Sequence, residues 1–170
     1  MFVSARAVVH YRSPFGRLGL ELDGAVCHAV HLQPKDAPQE CPADHPVALW
    51  LRAYFAGHVL PLPPIAPPRT PFQARLRQAL LAIPRGETRT YGELAKALGS
   101  SPRAVGQALG ANPLPILIPC HRVVATHGLG GFGGGLDWKR RLLNLESVIP
   151  YARQVDRPRR HHPPLPSNPA

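Results

Sequence analysis

The sequence predicts an α+β chain in which a small amino-terminal α/β domain precedes a mostly helical carboxy-terminal domain containing a helix-turn-helix. Three observations lead there: short apolar runs separated by turn residues at the start, a dense proline stretch around residue 65, and helical apolar periodicity beyond it.

Between Ala5 and Leu32 the runs Ala7-Val8-Val9, Leu18 to Leu22 and Val26 to Val30 are punctuated by Ser13-Pro14-Phe15-Gly16 and Asp23-Gly24. Runs of this length between turn residues predict a small antiparallel sheet. A helix is expected over 47–56, with Leu49, Leu51, Tyr54 and Phe55 on its apolar face and Gly57 ending it. Six prolines between Leu60 and Pro71 preclude a regular element. They divide the chain into an amino-terminal domain over 1–62, a linker over 63–70 and a second domain over 71–150.

In that second domain Phe72, Leu76, Leu80 and Ile83 recur at helical spacing until Pro84. Thr90-x-x-Glu93 has the form of a capping box, followed by the stripe Leu94, Ala95 and Leu98 and by Gly99 as a stop. Ser101 with Pro102 behind it restarts a helix whose buried side is Ala104, Val105, Ala108 and Leu109. Two short helices joined by Gly99-Ser100-Ser101 predict the helix-turn-helix. The run Leu114 to Ile118 is expected as a buried strand or extended segment. Six glycines lie between Gly128 and Gly135, where the backbone can approach a ligand closely. Trp138, Leu142, Leu143 and Leu145 make a last helix ending near Glu146. From Tyr151 to Ala170 five prolines and four arginines predict a disordered basic tail.

With 170 residues and 44% apolar content the chain can bury a core. The excess of 20 Lys+Arg over 10 Asp+Glu, a formal +10, attracts polyanions and, with the paired helices, points to DNA. No run approaches the roughly 18 uncharged apolar residues of a membrane span, and the start does not resemble a signal peptide. Three cysteines, Cys27, Cys41 and Cys120, form an odd set that argues against a disulfide framework. A cytoplasmic protein without membrane association is expected.

The reactive candidate is Cys120, because a thiol attacks as thiolate and so needs a base or a positive neighbourhood. His121 and Arg122 follow it directly. Adjacent residues of an extended chain point to opposite sides, so a bridging water fits the pair better than direct contact unless the chain turns.

The string Ile118-Pro119-Cys120-His121-Arg122-Val123-Val124, with Asn112-Pro113 before it and the glycine loop after it, resembles the active-site motif of the O6-alkylguanine-DNA alkyltransferases. The resemblance extends over Pro71 to Glu146 and, more loosely, to the Ser-Pro-Phe-Gly region. It implies a ribonuclease-H-like fold for the amino-terminal domain. It implies Cys120 as alkyl acceptor, His121 as water-mediated base, Glu146 as the carboxylate orienting the imidazole, and Asn112 at the hinge before the cysteine segment. Tyr91 resembles the tyrosine that meets the target phosphate and protonates the departing guanine, and Arg103 the arginine that fills the space of the flipped nucleotide. Ala104, Gly106 and Gln107 on the second helix, with Arg122, would meet the minor groove of double-stranded DNA. Val123, Gly130, Gly131, Phe132 and Gly133 would form the base pocket. The implied partner is duplex DNA containing O6-alkylguanine and the implied state a monomer. The protein would act once and use no cofactor, since a thioether on Cys120 is not cleaved by any nearby group.

The sequence departs from the family pattern in three places. The turn between Gly99 and Arg103 is short, Phe132 replaces a frequent tyrosine, and Gly133 replaces a frequent serine. Loss of that hydroxyl leaves O6 to backbone N–H groups and makes room for larger alkyl groups. Some relatives hold zinc in the first domain, but Cys27, His28, His31, Cys41 and His45 match no standard four-ligand spacing, so no metal is expected. Other readings remain open: a protein that recognises alkylated bases without transfer, a cysteine hydrolase, and a transcription regulator.

Overall fold

Alternation of apolar and polar residues builds the first sheet. The computed structural model describes residues 6–34 and 36–147, so the expected tail from Tyr151 lies outside the described residues. Strand β1 (Ala7–Ser13) pairs antiparallel with β2 (Gly16–Asp23), and β2 with β3 (Val26–His31). Leu18, Leu20 and Leu22 of β2, Val9 of β1, and Cys27, Ala29 and Val30 of β3 are buried. The two hairpin turns fall at the expected Ser13-Pro14-Phe15-Gly16 and Asp23-Gly24 positions, where Gly16 and Gly24 take φ of 124° and 55°.

A fourth strand that alternation did not reveal, β4 (Gln39–Glu40), runs parallel to β1 and gives the order β3-β2-β1-β4. Both its residues are polar and exposed, so it carries no hydrophobic period. Helix α1 (Pro46–Phe55) packs Val47, Ala48, Leu51 and Tyr54 inward. Its cap is His45, whose ring accepts from the Val47 N–H through Nδ1 and donates to the Gly24 carbonyl through Nε2.

The described residues form two compact units, the first comprising those up to Pro67 together with Pro113–Leu117. The proline stretch expected as a linker is therefore divided: the Cys27 N–H donates to the Pro64 carbonyl and the Ala66 N–H to the Cys27 carbonyl. The segment 114–118, expected to be extended, is buried but bends, and Ile116 takes φ of 74°. A β-branched residue in the left-handed region is strained, and the wholly buried Leu114, Ile116 and Leu117 side chains hold it there. The Val30 N–H fastens the start of this segment at the Pro113 carbonyl.

The second unit begins with α2 (Pro71–Leu81), capped by Thr70, which accepts from the Gln73 N–H. The expected capping box opens α3 (Tyr91–Leu98): Thr90 Oγ1 accepts from the Glu93 N–H at 3.1 Å and Glu93 accepts from the Thr90 N–H at 2.7 Å. Gly99, at φ 60°, ends it, and Ser101 caps α4 (Pro102–Gly110). These three helices pack together. The two-residue strand β5 (Arg89–Thr90) lies parallel to β6 (Val123–Val124) and brings the start of α3 to the cysteine segment. Helix α5 (Leu136–Glu146) completes the unit and packs against the turn at Cys120. Among the described residues no helix is long and apolar enough to cross a membrane.

Candidate active site around Cys120

Pro119 ends the buried segment, and Cys120–Arg122 then form a single 3-10 turn closed by the Arg122 N–H on the Pro119 carbonyl. The turn places His121 wholly in the interior, where its Nε2–H donates to Glu146 Oε1 at 2.7 Å. That bond assigns the proton to Nε2 and leaves the lone pair on Nδ1, which is buried and has no protein partner. A buried unsatisfied acceptor on a histidine is a position where a proton can arrive.

Glu146, the last residue of α5, is buried. Burial pushes its carboxyl up, but its interactions with His121 and then with Arg122 outweigh this and hold it well below the usual carboxylate range.

The Cys120 thiol is itself buried, and desolvation raises its pKa. Hydrogen bonding from Asn112, the charge of Lys139 and the backbone N–H groups of Cys120 and His121 act in the opposite direction. The Asn112 amide also donates to the Ile118 carbonyl at 3.2 Å, so it spans the two chain positions that flank the buried excursion.

Lys139 was not singled out in the sequence, where a lysine inside a helix reads as a solvated residue. It is wholly buried, and Nζ donates to the carbonyls of Val123 at 2.6 Å and Gly131 at 3.0 Å. Burial lowers its pKa to about 8, while the charge of Cys120 raises it. A signal existed: Lys139, Leu142, Leu143 and Glu146 recur at the spacing of one helix face, and all are buried.

Tyr91 opens α3, its hydroxyl donating to the Gly131 carbonyl at 3.3 Å, the same oxygen that accepts from Lys139. Its ring centroid lies 5.9 Å from Lys139 Nζ. Burial raises the phenol pKa and the charge of Cys120 adds to this, against the Gly131 bond, so Tyr91 stays protonated. Gly130, at φ 71°, leaves room for that ring: a Cβ there would fall 2.7 Å from Tyr91 Cε2 and 2.8 Å from its oxygen. Gly130→Ala should therefore destabilise the protein by about 1–2 kcal/mol through the left-handed backbone and displace Tyr91. Urea unfolding checks this, and wild-type stability would refute the contact.

The remaining expected residues are distributed as follows. Arg103 and Gln107 are exposed on α4, Ala104 and Gly106 are half-buried, and a Cβ on Gly106 would lie 3.9 Å from Tyr91. Phe132 is half-buried and Gly133 exposed, in the loop before α5. Two expectations need correction. Val123, assigned to the base pocket, is wholly buried in β6, and what it offers is its carbonyl, to Lys139. Arg122, assigned to DNA contact, points inward: it donates through Nε and Nη2 to Glu146 and through Nη1 to the Ile83 carbonyl. The side chain is 12% exposed, because a buried carboxylate attracts a guanidinium more strongly than solvent holds it. Among the described residues no group of three or more His, Cys, Asp or Glu side chains is placed to hold a metal ion. His31 pairs with Glu21 and His45 caps α1.

The 6-O-methylguanine DNA methyltransferase DNA-binding domain model matches residues 71–148. The methylated-DNA–protein-cysteine methyltransferase of Haemophilus influenzae is 41% identical over 162 residues, covering 88% of this chain and 90% of the relative. The crystal structure of the Mycobacterium tuberculosis O6-methylguanine methyltransferase is similar at a TM-score of 0.72 and 39% identity, covering 84% of this chain and 93% of that one. The Mycobacterium tuberculosis OGT in complex with DNA follows at 0.67 and 37%, covering 82% and 92%. With the cysteine, imidazole and carboxylate in place, these similarities establish that the chain belongs to the methylated-DNA–protein-cysteine methyltransferases, a family of DNA alkyl repair.

Proposed function

We propose that this chain transfers an alkyl group from O6 of a guanine in duplex DNA to Cys120, once per molecule. The carrying observation is the His121–Glu146 pair beside Cys120, with the proton on Nε2 and the lone pair open on Nδ1. The Cys120 proton passes to His121, directly or through one water, and the thiolate attacks the alkyl carbon. A C–S bond forms as the C–O6 bond breaks, and Tyr91 supplies the proton that makes guanine a neutral leaving group. Lys139 and Asn112 offset the charge of the thiolate. The chemistry requires no metal or organic cofactor.

The target base lies in the stack and must be flipped out, at a cost of a few kcal/mol. The pair α3 and α4 serves as a helix-turn-helix entering the minor groove. Arg103 and Gln107 are exposed for contact, Ala104 and Gly106 allow close approach, and Arg103 fills the vacated space. The loop Gly130, Gly131, Phe132 and Gly133 receives the base. The order β3-β2-β1-β4, three antiparallel strands with the fourth parallel to the first, supports a ribonuclease-H-like reading of the first unit. Three free cysteines fit a reducing, cytoplasmic compartment.

The test is incubation with excess duplex carrying one O6-methylguanine and mass spectrometry of the Cys120 peptide. One methyl group per protein on Cys120, absent from Cys120→Ser, is expected. Tight lesion binding with Cys120 unmodified would instead identify a recognition protein.

Alkyl preference follows from Gly133, where an added Cβ would meet no neighbouring atom. Gly133→Ser should leave stability within about 0.5 kcal/mol and lower the benzyl-to-methyl transfer ratio. An unchanged ratio would show that this position does not set pocket size.

A further inference from the structure

The transfer scheme leaves Arg122 without a role, although its guanidinium is the most fully engaged cation around the site. Nε donates to Glu146 Oε2 at 2.9 Å and Nη2 to Oε1 at 3.0 Å, a two-point fork on the carboxylate. Nη1 is anchored on the Ile83 carbonyl. Oε1 thus accepts from both Arg122 and His121, which brings Nη2 and the imidazole Nε2 within about 6 Å, the range over which a like charge disfavours a cation.

Charge counting in this interior decides the state of His121. The side chains of His121 and Glu146 are 0% and 1% exposed, so a net charge here is strongly disfavoured. With Arg122 present, carboxylate, guanidinium and neutral imidazole sum to zero, and an imidazolium would leave one positive charge. Without Arg122 the preference inverts: carboxylate and imidazolium would be the neutral pair, and the histidine could not accept another proton.

We propose that Arg122 is a positioning residue for the transfer step: by neutralising Glu146 it keeps His121 a neutral imidazole protonated on Nε2, with Nδ1 open to the Cys120 proton. This rests on the reading of His121 as the base. The other charged and titratable groups facing the pair fit it. From the turn after α2, Arg85 donates to the Leu145 carbonyl at 3.4 Å and adds positive charge beside the end of α5. On α5, Lys139 is committed to the Val123 and Gly131 carbonyls, with Tyr91 and Cys120 as its neighbours. The C-terminal end of α5 is the negative pole of the helix, so a carboxylate there needs a compensating cation.

The experiment is single-turnover transfer from pH 5 to 9 for wild type, Arg122→Met, Arg122→Lys and the double variant Arg122→Met with Glu146→Gln. In Arg122→Met the acid limb of the profile should move to higher pH, so that the loss of rate is largest at the acid end and the rates converge at pH 9. Arg122→Lys, which keeps the charge, should retain the wild-type limb. The double variant should regain it, since the unbalanced carboxylate is gone. Uniform slowing of Arg122→Met at every pH, or a double variant as impaired at acid pH as Arg122→Met, would overturn the proposal. If Arg122→Met does not fold, nitrogen NMR of wild-type His121 decides: a neutral ring with its proton on Nε2 at pH 7 supports the proposal and an imidazolium overturns it. Failure of the base reading would show separately, as wild-type transfer by His121→Ala.

Discussion

His121→Ala should slow alkyl transfer by about 10²–10⁴-fold at pH 7, the range of a lost general base. Burial raises the Cys120 pKa, so at neutral pH the sulfur is held almost entirely as thiol and needs a neighbour to take its proton. In the proposed reaction that neighbour is His121, with Nε2 engaged by Glu146 and Nδ1 without a protein partner. Without it the thiol must lose its proton to solvent, and the residual rate should climb about tenfold per pH unit in the alkaline range. Single-turnover rates from pH 6 to 10 on an O6-methylguanine duplex check this. A variant whose rate is flat over that range would mean that His121 does not handle the proton.

Lys139→Met should cost transfer on the order of 10²-fold at pH 7, because a cation near a sulfur lowers its pKa by about one to three units. The same substitution changes how stability depends on pH. Burial lowers the Lys139 pKa to about 8 from its ordinary 10.5, so the folded protein binds fewer protons than the unfolded chain between those values. Stability of the wild type therefore rises with pH across that window, recovering about 3 kcal/mol that the buried ammonium costs below pH 8. The methionine variant lacks this term, and its stability should fall behind that of the wild type by this amount between pH 8 and 10.5. Its two orphaned carbonyls, on Val123 and Gly131, add a cost that does not depend on pH. Urea unfolding at several pH values separates the two. Parallel curves for wild type and variant would show that burial does not lower the Lys139 pKa and that the ammonium stays charged in the folded protein across this window.

Much of the second unit was legible because its signals are local. The Thr90–Glu93 box, the Ser101 cap with Pro102, and Gly99 in the left-handed conformation each involve atoms within four residues of one another. The first hairpins were legible for the same reason, and β4 was not, since two exposed polar residues in a parallel pairing carry no period of their own. The turn at Cys120 was anticipated only as an alternative to an extended chain. The ligand-facing roles of Arg122 and Val123 came from the family resemblance alone, and no local pattern shows that the two side chains turn into the interior. Lys139 was passed over, although its helix-face spacing with Leu142, Leu143 and Glu146 was visible in the sequence.

By itself the sequence determined the secondary elements with caps and periodicity, the candidate nucleophile, and the family. Tertiary structure alone decided which polar atoms meet: His121 with Glu146 across 25 residues, Arg122 with Ile83 across 39, and Tyr91 with Gly131 across 40. Caps and stripes follow from the geometry of one helical turn. The charge balance at Cys120 follows from burying a carboxylate, an ammonium and a guanidinium together in a low-dielectric interior, where each must take the nearest available partner.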